Sequence, residues 1–224
     1  MTINTKTLAA IDIGTNAIRL FISNVEEYPT ETLFKKIAFL RVPIRLGEDV
    51  FTTGEIGQQK GKRLCETMQG FSYIMSAFNV ESYKAYATCA MREARNGKSV
   101  AEQIQKECDL NIEIISGTKE AETIFAGGMN EVVDDDKTYL YVDVGGGSTE
   151  VIVYSKSVKV EACSFPLGTV RMLNDAMDKE EMKHFKKWLK NITEKYTPDA
   201  IIGSGGNINK IHKLLNKKER ERIT

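Results

Sequence analysis

Tyr141-Val-Asp-Val-Gly-Gly-Gly-Ser-Thr-Glu150-Val-Ile-Val-Tyr154 reads as strand, glycine turn and strand. Valines alternate into the turn on one side and return as Val151–Tyr154 on the other. Between them Gly145, Gly146 and Gly147 can take backbone angles that larger residues resist. Successive N–H groups at such a turn can converge on a phosphate oxygen, and the missing Cβ atoms let the anion approach closely. Ser148 adds a hydroxyl. Asp143 and Glu150 flank the turn with carboxylates, the hard oxygen donors that a divalent cation shared with phosphate requires. A glycine turn that only reverses a strand is the plainer alternative, but a two-residue hairpin turn needs at most two special residues. Here three glycines and a hydroxyl stand between two acids.

The pattern occurs a second time. Leu8–Ile13 breaks at Gly14-Thr15-Asn16 and resumes as Ala17–Val25. At a constant offset of 131 residues Asp12 falls on Asp143, Gly14 on Gly145, Ala17 on Ser148 and Arg19 on Glu150, so two related halves are expected. After the first hairpin Leu33–Leu46 continues as strand, with Pro43 marking an edge or irregularity. Thr53-Gly54-Glu55 opens a helix whose Leu64, Met68, Phe71, Met75 and Phe78 form a core stripe. Tyr83–Ala87 and Asn111–Ser116 are expected strands, with a helix starting at Gly117-Thr118. The polar stretch from Val132 to Lys137 places a domain boundary there, giving domains 1–132 and 133–224. The second half reads as strands 138–144, 149–155 and 158–165, helices 167–176 and 178–196, strand 199–203 and helix 206–220. That order predicts an α/β fold with mixed sheets flanked by helices.

Lys and Arg together number 31 and Asp and Glu 31, so no global field favours nucleic acid or an anionic membrane, and any anion site must be local. No apolar run approaches the ~20 residues of a membrane span, and the polar N-terminus lacks a signal-peptide pattern. A cytoplasmic protein with no membrane and no nucleic-acid partner is the expectation. Cys65, Cys89, Cys108 and Cys163 are far apart with no CxxC, which fits packed, reduced thiols. His184 and His212 lie on Lys-rich helices without a second ligand at metal spacing. A G-x-x-x-x-G-K-[ST] loop is absent, so the phosphate site is not a P-loop.

Other candidates carry two readings each. Arg92, after a strand, is either a fork for phosphate oxygens or the partner of Glu93. Arg19 has the same choice, with a carboxylate as its plain partner. Glu120, in a first helical turn, complements the helix dipole or serves chemistry. Gly203-Ser-Gly205-Gly206-Asn207 is an anion-receiving helix start or simply a tight strand-to-helix turn.

Taken in order, Ala10-Ile-Asp-Ile-Gly-Thr-Asn-Ala-Ile-Arg-Leu20, Ala87-Thr-Cys-Ala-Met-Arg-Glu-Ala94, Ile115-Ser-Gly-Thr-Lys-Glu-Ala121, Val142-Asp-Val-Gly-Gly-Gly-Ser-Thr-Glu150 and Ile202-Gly-Ser-Gly-Gly206 resemble the exopolyphosphatase and guanosine pentaphosphate phosphohydrolase family. That family belongs to the actin, sugar-kinase and Hsp70 ATPase superfamily. The resemblance implies two ribonuclease-H-like domains around a cleft, with the site formed where both halves face each other. By position it implies Glu120 as the catalytic base, Asp143 and Glu150 as the Mg²⁺-associated acids, and Gly145, Gly146, Gly147 and Ser148 as the phosphate cradle. Asn16, Arg19, Arg92 and Thr169 are implied as further phosphate contacts. The expected activity is release of terminal phosphate from inorganic polyphosphate. Guanosine pentaphosphate hydrolysis, a non-catalytic binding module and an ATP-dependent kinase are the alternatives, and a homodimer is one assembly open to the chain. Two departures stand out. The family commonly has two adjacent acids where this chain has Lys119-Glu120, and its members continue beyond the point where this chain stops, so a shortened second domain with an incomplete sheet is expected.

Overall fold

The structure is a computed structural model that describes residues 4–126, 134, 136–156 and 158–217. The chain forms two compact units, Met1–Ile115 and Ser116–Thr224. The boundary expected at 132/133 lies outside the described residues. The observed division comes earlier in the chain because the helix at Gly117–Ala126 packs its Ala121 and Ile124 on Tyr139, Tyr141, Ile152 and Tyr154 of the second unit.

The first unit runs β1 (Asn4–Ile13), β2 (Ile18–Glu27), β3 (Thr32–Val42), α1 (Leu46–Thr53), α2 (Gln58–Ala77), β4 (Ser82–Ala87), α3 (Cys89–Glu93), α4 (Gly97–Cys108) and β5 (Glu113–Ile114). Its sheet has the order β3-β2-β1-β4-β5, antiparallel through β3, β2 and β1 and parallel from β1 onward. Ala9, Ile11 and Ile13 of β1 and Ile18, Leu20 and Ile22 of β2 point to one face, where Leu64, Met68, Phe71, Met75 and Ile104 complete the core. Period-2 alternation against a helical stripe is what the sequence encodes here. Phe78 departs from the expected stripe. It stands at the C-cap of α2, 42% exposed, one step past the last residue that the helix presses onto the sheet.

The strand expected over Leu33–Leu46 stops at Val42, and Leu46–Thr53 is a helix. Pro43 has no N–H for the ladder, and Arg45 then turns the chain with a left-handed φ of 61°. Gly54, read as opening a helix, instead closes α1: it takes φ 79° and donates its N–H to the Val50 carbonyl, as a glycine cap does.

The second unit runs α5 (Gly117–Ala126), β6 (Thr138–Val144), β7 (Thr149–Ser155), β8 (Val158–Phe165), α6 (Thr169–Leu173), α7 (Lys179–Tyr196), β9 (Ala200–Ser204) and α8 (Gly205–Leu214). Its sheet order, β8-β7-β6-β9, matches β3-β2-β1-β4 of the first unit in both sequence and direction. Two mixed sheets flanked by helices, as the repeated hairpin requires, are therefore present. Leu140, Val151, Val153, Phe165 and Leu167 face α7, where Ile192 is buried and Phe185 and Trp188 meet Phe165 edge-on. His184 also contacts the Phe165 ring, at 5.5 Å between centroids, which accounts for it as a packing residue. Asp178 caps α7 by accepting from the Glu180 N–H at 2.8 Å. The four cysteines are free thiols, three of them buried, and among the described residues no helix is long and apolar enough to cross a membrane.

Candidate active site

The β6–β7 turn is closed by one bond, from the Gly145 N–H to the Ser148 carbonyl at 2.9 Å, so Val144 pairs with Thr149 and Asp143 with Glu150. The remaining carbonyls of the turn are all held from one side by the start of α6. Gly145 O accepts from the Thr169 N–H at 3.1 Å and from its Oγ1 at 3.3 Å. Gly146 O accepts from the Val170 and Arg171 N–H groups at 2.8 and 3.3 Å, and Gly147 O accepts from Arg171 Nε at 2.6 Å. In a trans peptide the N–H points opposite to the preceding C=O, and no peptide bond described is cis. The amides of Gly146, Gly147 and Ser148 are therefore aimed away from α6 as a group. Three N–H groups on one side of a turn are donors that an anion site can use.

Thr169, expected to touch phosphate, donates its hydroxyl to the Gly145 carbonyl, and Ser148 is buried at 4% exposure. Arg171 was not among the sequence candidates. Its signal was a cation within the short apolar segment Thr169–Leu173, and it is 8% exposed. Replacing it with Met should cost roughly 1.5–3 kcal/mol, since the charged donor to a buried carbonyl is lost. Denaturant unfolding checks this, and a change within the ~0.5 kcal/mol of an ordinary surface substitution would mean that Gly147 O needs no such donor.

Asp143 and Glu150 are direct cross-strand partners, and they share a sheet face with Tyr141, Ile152 and Tyr154, the face on which α5 packs. Glu150 is 1% exposed and accepts from Ser164 Oγ at 2.9 Å across the β7–β8 pair. Tyr141 donates its hydroxyl to Ser204 Oγ at 2.6 Å. Burial pushes the Tyr141 hydroxyl above its ordinary range, the Ser204 bond partly offsets this, and the nearby Asp143 and Glu150 push it further up. Gly205, at φ 87°, lies against the Asp143 carboxylate so closely that a Cβ there would strike Oδ1. The Gly203–Gly206 segment is thus a tight strand-to-helix turn built around Asp143, and Asn207 Nδ2 ties it to the Val144 carbonyl at 2.6 Å. Glu120 sits half-buried in the first turn of α5, on the Asp143 and Glu150 face, with its N–H on the Ser116 carbonyl at 2.9 Å. Lys119 beside it is exposed.

No cluster of three or more metal-ligating side chains occurs among the described residues. The donor set is a pair of carboxylates facing across one ladder position. That fits Mg²⁺, which commonly takes one or two protein carboxylates and fills its shell with water and substrate phosphate.

The first unit repeats the turn at its own hairpin. Gly14 N–H donates to Ala17 O at 3.2 Å, the counterpart of Gly145 and Ser148. Thr15 O and Asn16 O are held by the Gly47 and Arg45 N–H groups, both at 3.0 Å, so again the segment after the third strand clasps the turn carbonyls. Asn16 is exposed at its tip. Arg19 forms an ion pair with Asp12, its cross-strand partner. Burial pushes the Asp12 carboxyl up, and Arg19 draws it back in part. Arg92, in α3, donates Nη1 to the Ile115 carbonyl at 2.8 Å. Arg19 thus has the plain carboxylate partner the sequence allowed, and the Arg92 bond ties α3 to a main-chain carbonyl.

The sequence profile of the Ppx/GppA phosphatase family matches residues 22–214. The chain belongs to the Ppx/GppA phosphatase family. Among its relatives, the bifunctional 3-dehydroquinate synthase/phosphatase of Fusobacterium nucleatum is 30% identical over 215 residues, covering 88% of this chain and 32% of that protein. Exopolyphosphatase 1 of Mycobacterium tuberculosis is 24% identical over 225 residues, covering 92% and 63%. An exopolyphosphatase structure from Cytophaga hutchinsonii superposes with a TM-score of 0.82 at 26% identity, over 98% of this chain and 73% of that one. The Aquifex aeolicus member of the Ppx/GppA family gives 0.75 at 26% identity, over 98% and 72%. The chain thus spans less than two thirds of the length of these two curated relatives.

Proposed function

We propose that this Ppx/GppA chain releases terminal phosphate from inorganic polyphosphate by metal-assisted attack of water. The observation that carries the reading is the β6–β7 turn, whose three outward amides adjoin a facing pair of carboxylates on the sheet face that also receives the helix of Glu120. The family and the exopolyphosphatases among its relatives support the same chemistry.

Hydrolysis of a phosphoric anhydride asks the protein for position and charge neutralisation more than for covalent chemistry. The amides of Gly146, Gly147 and Ser148 hold the terminal phosphoryl oxygens. Asp143 and Glu150 would hold Mg²⁺, which neutralises charge on the phosphoryl oxygens when bound. Glu120 accepts the proton of the attacking water. For Asn16, Arg19 and Arg92, on the first unit, phosphate contact is proposed on the family resemblance alone. With Lys119 beside it, Glu120 is the one carboxylate of that dipeptide able to act as base.

The test is phosphate release from polyphosphate with Mg²⁺ and with excess chelator. Release that chelator abolishes, and that Asp143→Asn lowers about 10²-fold or more, is the expected result, because removing one charge-stabilising group costs that much in comparable sites. Chelator-insensitive release would end the metal-assisted reading. Guanosine pentaphosphate is the alternative substrate: a guanosine nucleotide that competes with polyphosphate at comparable concentration would move the assignment to it.

A further inference from the structure

Four paired residues cross the second sheet in one line. Ser164 of β8 pairs with Glu150 of β7, Glu150 with Asp143 of β6, and Asp143 with Ser204 of β9. Residues paired across a ladder project to the same face, so the two acids lie between two hydroxyl side chains. Strand alternation sends Ser164 to that face, because the next residue, Phe165, is 1% exposed on the other, where Phe185 and Trp188 meet its ring edge-on. The chain just beyond is pinned as well: Leu167 O accepts from Thr149 Oγ1 at 2.6 Å. Ser164 thus stands on fixed backbone, half-buried, with its hydroxyl donated to Glu150 Oε1 at 2.9 Å.

The end group of Glu150 is the part of the acid pair that strand register does not fix. The last torsion of a glutamate is broad and roughly two-fold, so the strand places Cβ and leaves the plane of the carboxylate open. At 1% exposure, bulk water does not orient it. A hydroxyl donated to one of its oxygens selects the plane. Carboxylates that ligate metals are commonly held in this way by hydrogen-bond donors that do not themselves touch the metal. We propose that Ser164 is a positioning residue of the cation site: its hydroxyl fixes the Glu150 carboxylate so that Glu150 and Asp143 receive a divalent cation without first having to reorder. This inference lies wholly within the second unit and rests on the metal-assisted reading above.

Ser164→Ala tests it, with Mn²⁺ as the probe, since it accepts the same oxygen ligands as Mg²⁺ and its binding is read directly by electron paramagnetic resonance without turnover. The dissociation constant for Mn²⁺ should rise about 10- to 100-fold, the cost of removing a donor that orients a metal ligand, and half-maximal phosphate release should need correspondingly more Mg²⁺. The unfolding midpoint measured in chelator should move far less than the metal affinity does. Ser164→Thr, which keeps the hydroxyl, should hold Mn²⁺ about as the unaltered protein does, whereas Ser164→Val, of the same shape without the hydroxyl, should bind it as weakly as Ser164→Ala. Equal Mn²⁺ affinity in the Thr and Val forms would overturn the inference, and so would an unchanged affinity in Ser164→Ala. A loss that follows a lowered unfolding midpoint and is not restored by Thr would make Ser164 merely structural and overturn it too. In each of these cases chelator-sensitive release by the unaltered chain leaves the proposed function standing. If the unaltered chain binds no Mn²⁺ at all, the metal-assisted reading falls and takes this inference with it.

Discussion

Glu120→Gln is expected to lower phosphate release from polyphosphate by about 10²–10⁴-fold, the range that a positioned general base contributes. In free energy that is about 3–5 kcal/mol of the barrier. The substitution keeps the size and hydrogen-bonding outline of the side chain and removes its ability to take a proton. Its structural cost is small: Glu120 is in the first turn of α5, where loss of a negative charge forfeits about 0.3–1 kcal/mol of dipole stabilisation. Binding should persist, because the amides of Gly146 to Ser148 and the Asp143–Glu150 pair are untouched. Steady-state release combined with calorimetric binding of polyphosphate separates the outcomes. Equal rates in the two proteins would remove Glu120 from the mechanism. Binding without release from either would identify a non-catalytic polyphosphate-binding module.

Gly168→Ala is expected to lower stability and phosphate affinity together. The backbone there is extended, at φ −149°, so no special conformation requires glycine. Space does: a Cβ on Gly168 would run into the carbonyl group of Gly146 and the main chain of Gly147. Neither obstacle is a flexible side-chain end that could swing aside. Either α6 or the turn must shift, and overpacking of this kind costs about 1–3 kcal/mol. A shift also breaks the bonds from Thr169, Val170 and Arg171 that aim the amides. Affinity for inorganic tripolyphosphate should therefore fall together with the unfolding midpoint. A variant that keeps both would show that the clasp does not orient the turn. Gly206→Ala is the control, because a Cβ at that position meets nothing within 4 Å.

Much of the fold was legible because its strands are regular. Asp-aliphatic-Gly with apolar flanks appears twice, and the two sheets show the same strand order. The stripe of Leu64, Met68, Phe71 and Met75 was a helix period with a core to face. Helix α1 was not legible, because Pro43 and Gly54 carry opposite meanings depending on whether an eight-residue helix lies between them. For the site, residue identities were readable and bonds were not. The glycine turn announced an anion cradle, but which way its amides point is decided by Thr169 to Arg171, more than twenty residues later in the chain. No local pattern links Arg171 to Gly147. Likewise the Arg19–Asp12 pair follows only from the register of β1 on β2.

That register allows the two halves to be compared at a single ladder rung. Where the first hairpin places Asp12 opposite Arg19, the second places Asp143 opposite Glu150. The formal charge of the rung is zero in one and minus two in the other. A neutral rung closes on itself, whereas a doubly acidic one reaches its lowest energy with a cation. Two copies of one scaffold thus differ in sign at one position, and Arg19→Glu, which would make the first rung acidic as well, is the substitution that tests whether that sign alone creates the cation preference proposed for the second.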